Sequence, residues 1–397
     1  MLFMIIYFFI FILTAYIFIS TFYLCLLAIL FFIIKEKKYN ESEKCNKFIV
    51  LVPAHNEELL IGNLIESLLD INYPSEKYSI FIIADNCKDG TTDLVRKYPV
   101  QLLIRNDELN PGKGQALSWA LQEIDLDSYD SVFMVDADNY VDGDILRELN
   151  ALINNGEKAI QCHNAVGNRN DSWFTQLLYV SRTIGNQLYH EAKYRLGLSS
   201  YLMGNGLCFR TDLLKQRGWT AFSTGEDWEY YAQLVGDGIK IGFAVNAKVY
   251  HQESKSLNQA TSQRLRWSSG RFKIARTLGM KLFLKGLREK KWWVVDASFP
   301  LLLPNYSLLL NLTMVCLLVS VLLPVSVAKN ILVALTVMSF LGQFFLFAAG
   351  SFLAGSLLET LKAIVFVPFF LIWKAIIDLL CLTGLYRDKK WVRTKRH

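Results

Sequence analysis

Histidine and cysteine are scarce, five and seven in 397 residues. The cysteines, at 25, 45, 87, 162, 208, 316 and 381, form no C-x-x-C pair and share no spacing, so they give neither a disulfide framework nor a zinc site. No HExxH occurs among the histidines. Charge is missing altogether from residues 1–34. About 20 apolar residues cross a bilayer, so this stretch is long enough to span with tilt. It lacks the basic start of a secretory signal; the first basic residue is Lys35, and an uncleaved anchor is expected. A basic stripe wide enough for a nucleic-acid groove is also missing. The net charge of +6 gathers instead at Lys35, Lys37 and Lys38, at Lys281–Lys291 and at Arg387–Arg396. These are the borders of apolar segments, which the positive-inside rule places in the cytoplasm. Nucleic acid is excluded as a partner on this ground.

A second apolar block runs from Trp292 to Leu385. Spans are expected at Leu301–Leu323 and Ile331–Phe352. A further crossing at Ala363–Leu385 would put the basic tail RDKKWVRTKRH outside, and that segment carries Lys374 and Asp378, i and i+4 on a helix. A helix lying in the inner membrane interface is expected there.

Between the apolar blocks the pattern is that of an α/β domain. FIVLV (Phe48–Val52) is a strand buried on both faces, followed by PAHNEE and the helical LLIGNLIESLLD. YSIFIIADNCKDGTTDLV, PVQLLIRND, PGKGQALSWALQEI and SVFMVDADN continue the alternation. Strands alternating with helices imply a mostly parallel sheet, whose ligands bind at the carboxyl ends of its strands. The polar clusters His55–Glu57, Asp85–Asp89 and Asp136–Asp138 all fall at such ends.

The stretch FMVDADNYVDGD holds four carboxylates in twelve residues, which repel each other unless a positive charge sits among them. Asp136 and Asp138, i and i+2 at a strand end, project to one side and suit a hard divalent ion. Asp142 and Asp144 are assigned to the start of the next helix. An EF-hand is excluded, since no Gly stands at loop position six and no Glu at twelve. Asp85 and Asp89 either cap the next helix or face a ligand. Lys113 is either a solvated loop lysine or a phosphate contact; GKGQAL is not a Walker loop. In QRLRW, Gln263, Arg266 and Trp267 share a helix face that would offer guanidinium to phosphate and indole to a sugar ring. Arg264 lies off that face, where a cytoplasmic contact or a lipid headgroup explains it equally. His251 is either a core histidine or a neighbour of the diphosphate.

In order, VPAHNEE, ADNCKDGT, DAD, GED (Gly225–Asp227) and QRLRW resemble the membrane-integrated family 2 glycosyltransferases, the group of cellulose, hyaluronan and poly-N-acetylglucosamine synthases and, more distantly, ceramide glucosyltransferase. The resemblance covers Phe48–Arg271. It implies a GT-A-type nucleotide-sugar domain flanked by transmembrane and interfacial helices. Pro53, His55, Glu57, Asp85, Lys113, Asp136, Gln263 and Arg266 would then bind the nucleotide sugar, and Asp136 and Asp138 would hold Mg²⁺ or Mn²⁺. Asp227 would be the general base and Arg266 would assist the leaving group. Gly204, Asn205, Glu226 and Trp267 would face the acceptor. The sequence departs from the synthases in SYLMGNGLCFR (Ser200–Arg210) and in reading GED where they have TED.

The boundaries implied are an anchor at 1–34, a cytoplasmic catalytic domain at 45–255, the QxxRW and interfacial helices at 256–292, spans within 293–352, and an interfacial or transmembrane helix with the basic tail at 353–397. The expected enzyme is a multi-pass protein of the plasma membrane. It transfers sugar with inversion from a UDP-sugar to a growing polysaccharide, the alternative acceptor being a membrane lipid. Three spans are few for a polymer channel, so a polymer-making enzyme would need a homo-oligomer or a partner. A transporter is disfavoured because no span carries an ionisable residue along a substrate path. A catalytically dead scaffold would have no reason to keep Asp136, Asp138, Asp227 and Arg266 together.

Overall fold

The computed structural model describes residues 2–37, 39, 44–355 and 357–386. Lys38 and the basic tail from Arg387 lie outside the described residues. The catalytic region is built on one eight-stranded sheet: β1 (Phe48–Ala54), β2 (Tyr78–Asp85), β3 (Gln101–Arg105), β4 (Ser131–Met134), β5 (Asn139–Val141), β6 (Ala159–Val166), β7 (Leu207–Arg210) and β8 (Gly242–His251). The spatial order is 3-2-1-4-7-6-8-5. β1, β2, β3 and β4 run parallel, as does β6 with β8, while β7 and β5 pair antiparallel with their neighbours. This is a curled, mostly parallel α/β sheet of the GT-A type. Its central strand is buried on both faces, as FIVLV requires. Phe48, Val50 and Val52 pack under the helices Ile61–Leu69 and Ile145–Asn154. Ile49 and Leu51 pack under Lys113–Glu123 and Glu226–Gly236. Each such side chain taken from water contributes about 1.5–3 kcal/mol.

Among the described residues, two helices around this domain are long and apolar enough to cross a membrane, Leu2–Ile33 and Val327–Leu353. Two further pairs are bent: Trp292–Leu302 with Tyr306–Leu322 by 74°, and Leu357–Ile364 with Val367–Leu382 by 68°. The expected span from Leu301 is therefore interrupted at Leu303–Pro304–Asn305, because proline cannot donate to the preceding turn. Three side chains fasten the α/β domain and its following helix to the segment from Trp292 to Leu303. Arg271 donates to the Leu303 and Pro300 carbonyls at 2.6 and 3.1 Å, Tyr231 donates to the Ala297 carbonyl at 2.6 Å, and the fully buried Lys193 pairs with Asp296 at 2.8 Å. Lys374 and Asp378 do not form a wet polar face. Asp378 is fully buried and Lys374 nearly so, and both reach the Ser268 hydroxyl, at 3.2 and 3.1 Å.

Candidate active site

On leaving β1 the chain goes to β2 and β3 on one side, then returns to β4 on the other, so a crevice opens at the carboxyl ends of β1 and β4. Two asparagines shape its rim. Asn56 and Asn86 adopt left-handed backbone (φ 56° and 51°), which asparagine tolerates better than most residues. Their side-chain oxygens accept from the Lys88 and Asp107 N–H groups at 2.7 and 2.8 Å, so each strand end is tied to a neighbouring loop. His55 donates through Nδ1 to the Asp85 carbonyl at 2.6 Å. The β2–β3 register sets Asp85 opposite Arg105, and the buried pair closes at 2.6 Å. Arg105 and the Asn86 amide both fall on Asp85 Oδ1. Asp89 takes the structural role, accepting from Thr91 N–H at 3.0 Å.

The Asp-Ala-Asp stretch is not a strand end. β4 stops at Met134 and residues 136–138 lie in the turn to β5, because the chain must reverse to reach β8. The side-chain outcome is nevertheless the expected one: Ala137 is buried and the two aspartates flanking it are half-buried. Asp144 precedes the helix Ile145–Asn154 but accepts from Asn72 instead of capping it. Lys113 Nζ reaches Asp136 Oδ1 at 2.5 Å and also bonds the Gly204 carbonyl. In the Gly204–Gly206 loop the Asn205 side chain is spent as a brace. Its Oδ1 accepts from the Asp136 N–H at 3.1 Å and its amide donates to Asn164 at 3.2 Å.

Asp227 sits in the first turn of Glu226–Gly236, so close to Gly204 (φ +79°) that a Cβ there would stand 3.2 Å from Asp227 Oδ2. Burial, reinforced by the charge of Glu226, pushes Asp227 up to about 7. Burial likewise raises Glu226 against the pull of Lys113, and raises Asp136 despite the same lysine. On the helix Leu257–Ile274, Gln263, Arg266 and Trp267 line the same cavity, with Trp267 38% exposed. This helix meets the GED loop at a contact between glycines: a Cβ on Gly270 would lie 3.0 Å from both Gly225 N and the Thr224 carbonyl oxygen. His251 ends β8 opposite Asn139, its Nε2 2.9 Å from Glu253. Burial works to raise Glu253, but Arg264, His251 and Arg182 together hold its carboxyl well below the usual range.

The donor set fits a divalent cation. Asp136, Asp138, Glu226 and Asp227 line one cavity together with Lys113 and Arg266; burial and the neighbouring carboxylates raise Asp136, Glu226 and Asp227, and such oxygens are hard donors suited to a divalent ion. Among the described residues no three His, Cys, Asp or Glu side chains converge to hold a metal alone. Two aspartates would therefore share the ion with ligand oxygens and water.

The residues that the family resemblance assigns to donor, metal, catalysis or acceptor all line this one cavity: Pro53, His55, Glu57, Asp85, Lys113, Asp136, Asp138, Gly204, Asn205, Glu226, Asp227, Gln263, Arg266 and Trp267. Its volume is about 2030 Å³, and it runs on between the apolar helices to Met314, Phe344 and Leu371. Sequence reading overlooked Arg105, Arg182 and Glu253. Arg105 ends β3 just as Asp85 ends β2, although its partnership with Asp85 is set by the register of the two strands. Arg182 belongs to the helix Trp173–Thr183, which widens into a π-helical stretch, Ile184–Glu191, that no periodicity announced.

Comparison with known proteins accords with this geometry. The chain is 26% identical over 243 residues to the probable glycosyltransferase YdaM of Bacillus subtilis, covering 59% of this chain and 57% of that protein. It is 27% identical over 230 residues to the beta-monoglucosyldiacylglycerol synthase of Trichormus variabilis, covering 56% and 48%. The chain thus spans about half the length of the curated relatives it matches. Its fold is similar to that of the mannosyltransferase PcManGT from Pyrobaculum calidifontis, solved with GDP-Man and Mn²⁺ (TM-score 0.57, 18% identity, 89% of this chain and 97% of that one). The family model described as "Glycosyltransferase like family 2" matches residues 46–270, more than half of the sequence, and the chain belongs to that family.

Proposed function

We propose that this protein transfers a sugar, with inversion, from a nucleotide diphosphate sugar such as a UDP-sugar to a hydroxyl of a lipid held in the membrane's inner face. One observation carries the choice of acceptor: the cavity that holds Asp136 and Asp227 continues without a break among apolar side chains of the helical bundle. An acyl chain is the natural occupant of such a lining. In this reading the residues of the cavity divide the work. His55, Glu57, Asp85 and Lys113 cradle the nucleotide end, and Asp136 and Asp138 would hold Mg²⁺ or Mn²⁺. A divalent cation there would neutralise charge on the departing diphosphate. Arg266 adds its guanidinium to the same oxygens. The acceptor oxygen forms its bond to C1 as the C1–O bond to the diphosphate breaks; the nucleotide diphosphate leaves with the electron pair and Asp227 takes the hydroxyl proton. An aspartate tuned to about 7 is suited to that proton transfer near neutral pH.

The second reading is extension of a polysaccharide. Trp267 at 38% and Phe222 at 51% exposure both line the cavity and offer stacking faces to a sugar chain. In either reading we place the catalytic domain on the cytoplasmic side of a multi-pass membrane protein, with the boundaries given above. The test supplies purified enzyme in lipid nanodiscs with radiolabelled UDP-sugars, Mn²⁺ or Mg²⁺, and mixed lipids. A single labelled species extracted into organic solvent supports the lipid reading, whereas large hydrolase-sensitive material supports the polymer reading. Nucleotide release that survives EDTA overturns the metal role.

A further inference from the structure

The QxxRW helix has a second face that the transfer chemistry leaves unused. Arg264, Ser268 and Arg271 stand at i, i+4 and i+7, one stripe of an α-helix, and all three line the cavity beside Gln263 and Arg266. Two more cations join them there, Arg182 from the helix Trp173–Thr183 and Lys374 from Val367–Leu382. The carboxylates that face this group are few. Glu253 takes Arg264 at 2.6 Å and Arg182 at 3.3 Å. Asp378 pairs with Lys374 and accepts from Ser268 at 3.2 Å. Arg271 is held by two backbone carbonyls, which orient its guanidinium without cancelling its charge. Four cations thus face two carboxylates, leaving a surplus of two positive charges in the wall. Arg264 Nε, buried, has no hydrogen-bond partner. Burial lowers both Arg264 and Arg271 from the usual guanidinium range.

The same cavity is lined by Asp136 and Asp227 and by Met314, Phe344 and Ile372 of the apolar helices, the last three 48%, 59% and 63% exposed. One cavity therefore joins the carboxylates, the collar of cations and exposed apolar side chains of the helical bundle. Resting on the lipid-acceptor reading, we infer that the collar of Arg182, Arg264, Arg271 and Lys374 is a phosphate subsite and that the acceptor is an anionic lipid bearing a headgroup phosphate. Guanidinium groups favour phosphate through parallel charge-assisted bonds, and a neutral lipid would leave the surplus charge uncompensated. The phosphate can belong to a phosphodiester headgroup whose hydroxyl oxygen bonds C1 as Asp227 takes its proton, or to a lipid monophosphate whose anionic oxygen bonds C1 with no proton to lose; in both, the C1–O bond to the nucleotide diphosphate breaks and the diphosphate leaves with the electron pair.

The test measures sugar transfer by the full-length enzyme in mixed micelles containing diacylglycerol, phosphatidylglycerol or a polyisoprenyl phosphate at equal mole fraction. Transfer to one of the two phosphate lipids is expected to exceed transfer to diacylglycerol at least tenfold, and which one is used identifies the source of the phosphate. Arg182→Gln and Lys374→Gln should each raise the KM for that lipid about tenfold. Their KM for the nucleotide sugar and their slow donor hydrolysis without acceptor should not change. A variant that loses donor hydrolysis as well has failed to fold and is replaced by Arg182→Lys, which keeps the charge but not the fork and should fall between wild type and Arg182→Gln. Equal or faster transfer to diacylglycerol, or an unchanged phospholipid KM in well-folded variants, overturns the subsite and leaves the lipid-acceptor reading intact. Polymer as the only labelled product overturns both.

Discussion

The contact between Gly225 and Gly270 couples the proposed base to the helix carrying Arg266. Replacing Gly270 by alanine puts a methyl group 3.0 Å from Gly225 N and from the Thr224 carbonyl oxygen, and 0.4 Å is missing even to the short end of ordinary contact at 3.4 Å. All these partners are backbone, so no side chain can swing aside. The GED loop and the helix Leu257–Ile274 must separate by about 0.5 Å. Overpacking of this kind costs about 1–3 kcal/mol, offset in part by the gain of roughly 0.5–1 kcal/mol for alanine over glycine in a helix. The net is a fall of a few degrees in melting temperature. Catalysis should suffer more. A misplacement of about 1 Å can cost a hundredfold, so half of that predicts about a tenfold loss in kcat, with the donor KM little changed. The assay is nucleotide release at saturating donor and acceptor beside differential scanning fluorimetry. Gly236→Ala, where an added Cβ meets nothing within 4 Å, is the matched control and should be neutral or slightly stabilising. Wild-type kcat and melting temperature for Gly270→Ala would refute the coupling.

Asp227→Asn should abolish transfer. In the wild type kcat/KM should fall tenfold per pH unit below about 7, because the base works only when ionised. Asp227's folded value lies above its ordinary one, so ionising it weakens the fold as pH rises from about 4 through 7; at pH 8 the inactive Asn variant should melt higher than wild type. Arg105→Leu leaves Asp85 buried without its guanidinium and should cost about 3–5 kcal/mol, read as a lower melting temperature, while the double change with Asp85→Leu recovers much of it. Lys113→Met removes the ammonium shared by Asp136 and the Gly204 carbonyl; donor KM should rise about tenfold, and a donor KM within twofold of wild type would count against a phosphate role.

Much of the site was legible because strand ends are legible. Apolar runs such as FIVLV and YSIFIIAD fix where a parallel strand stops, and a parallel sheet fixes that its stops share one edge. From there His55 and Asp85 follow; Asp136, expected at a strand end, stands two residues beyond the last residue of β4. What the sequence concealed depends on contacts between distant segments. Arg105 matters because register sets it beside Asp85, and Asn205 turned out to brace Asp136 instead of reaching outward. Lys374 and Asp378 looked like the polar face of a surface helix; their burial against Ser268 follows from how two helices cross, which no spacing within either one encodes.

The break at Leu303–Pro304–Asn305 also marks where the protein can be recombined. Tyr231, Lys193 and Arg271 all bond residues at or before Leu303, so Trp292–Leu302, although apolar, belongs mechanically to the enzyme. A chimaera that exchanges its apolar C-terminal helices with a relative's at residue 291 would cut all three fastenings. One joined at Pro304 would keep them. The packed unit therefore extends some thirty residues beyond the end of the family match at residue 270, and any exchange of the apolar helices should be made at the proline.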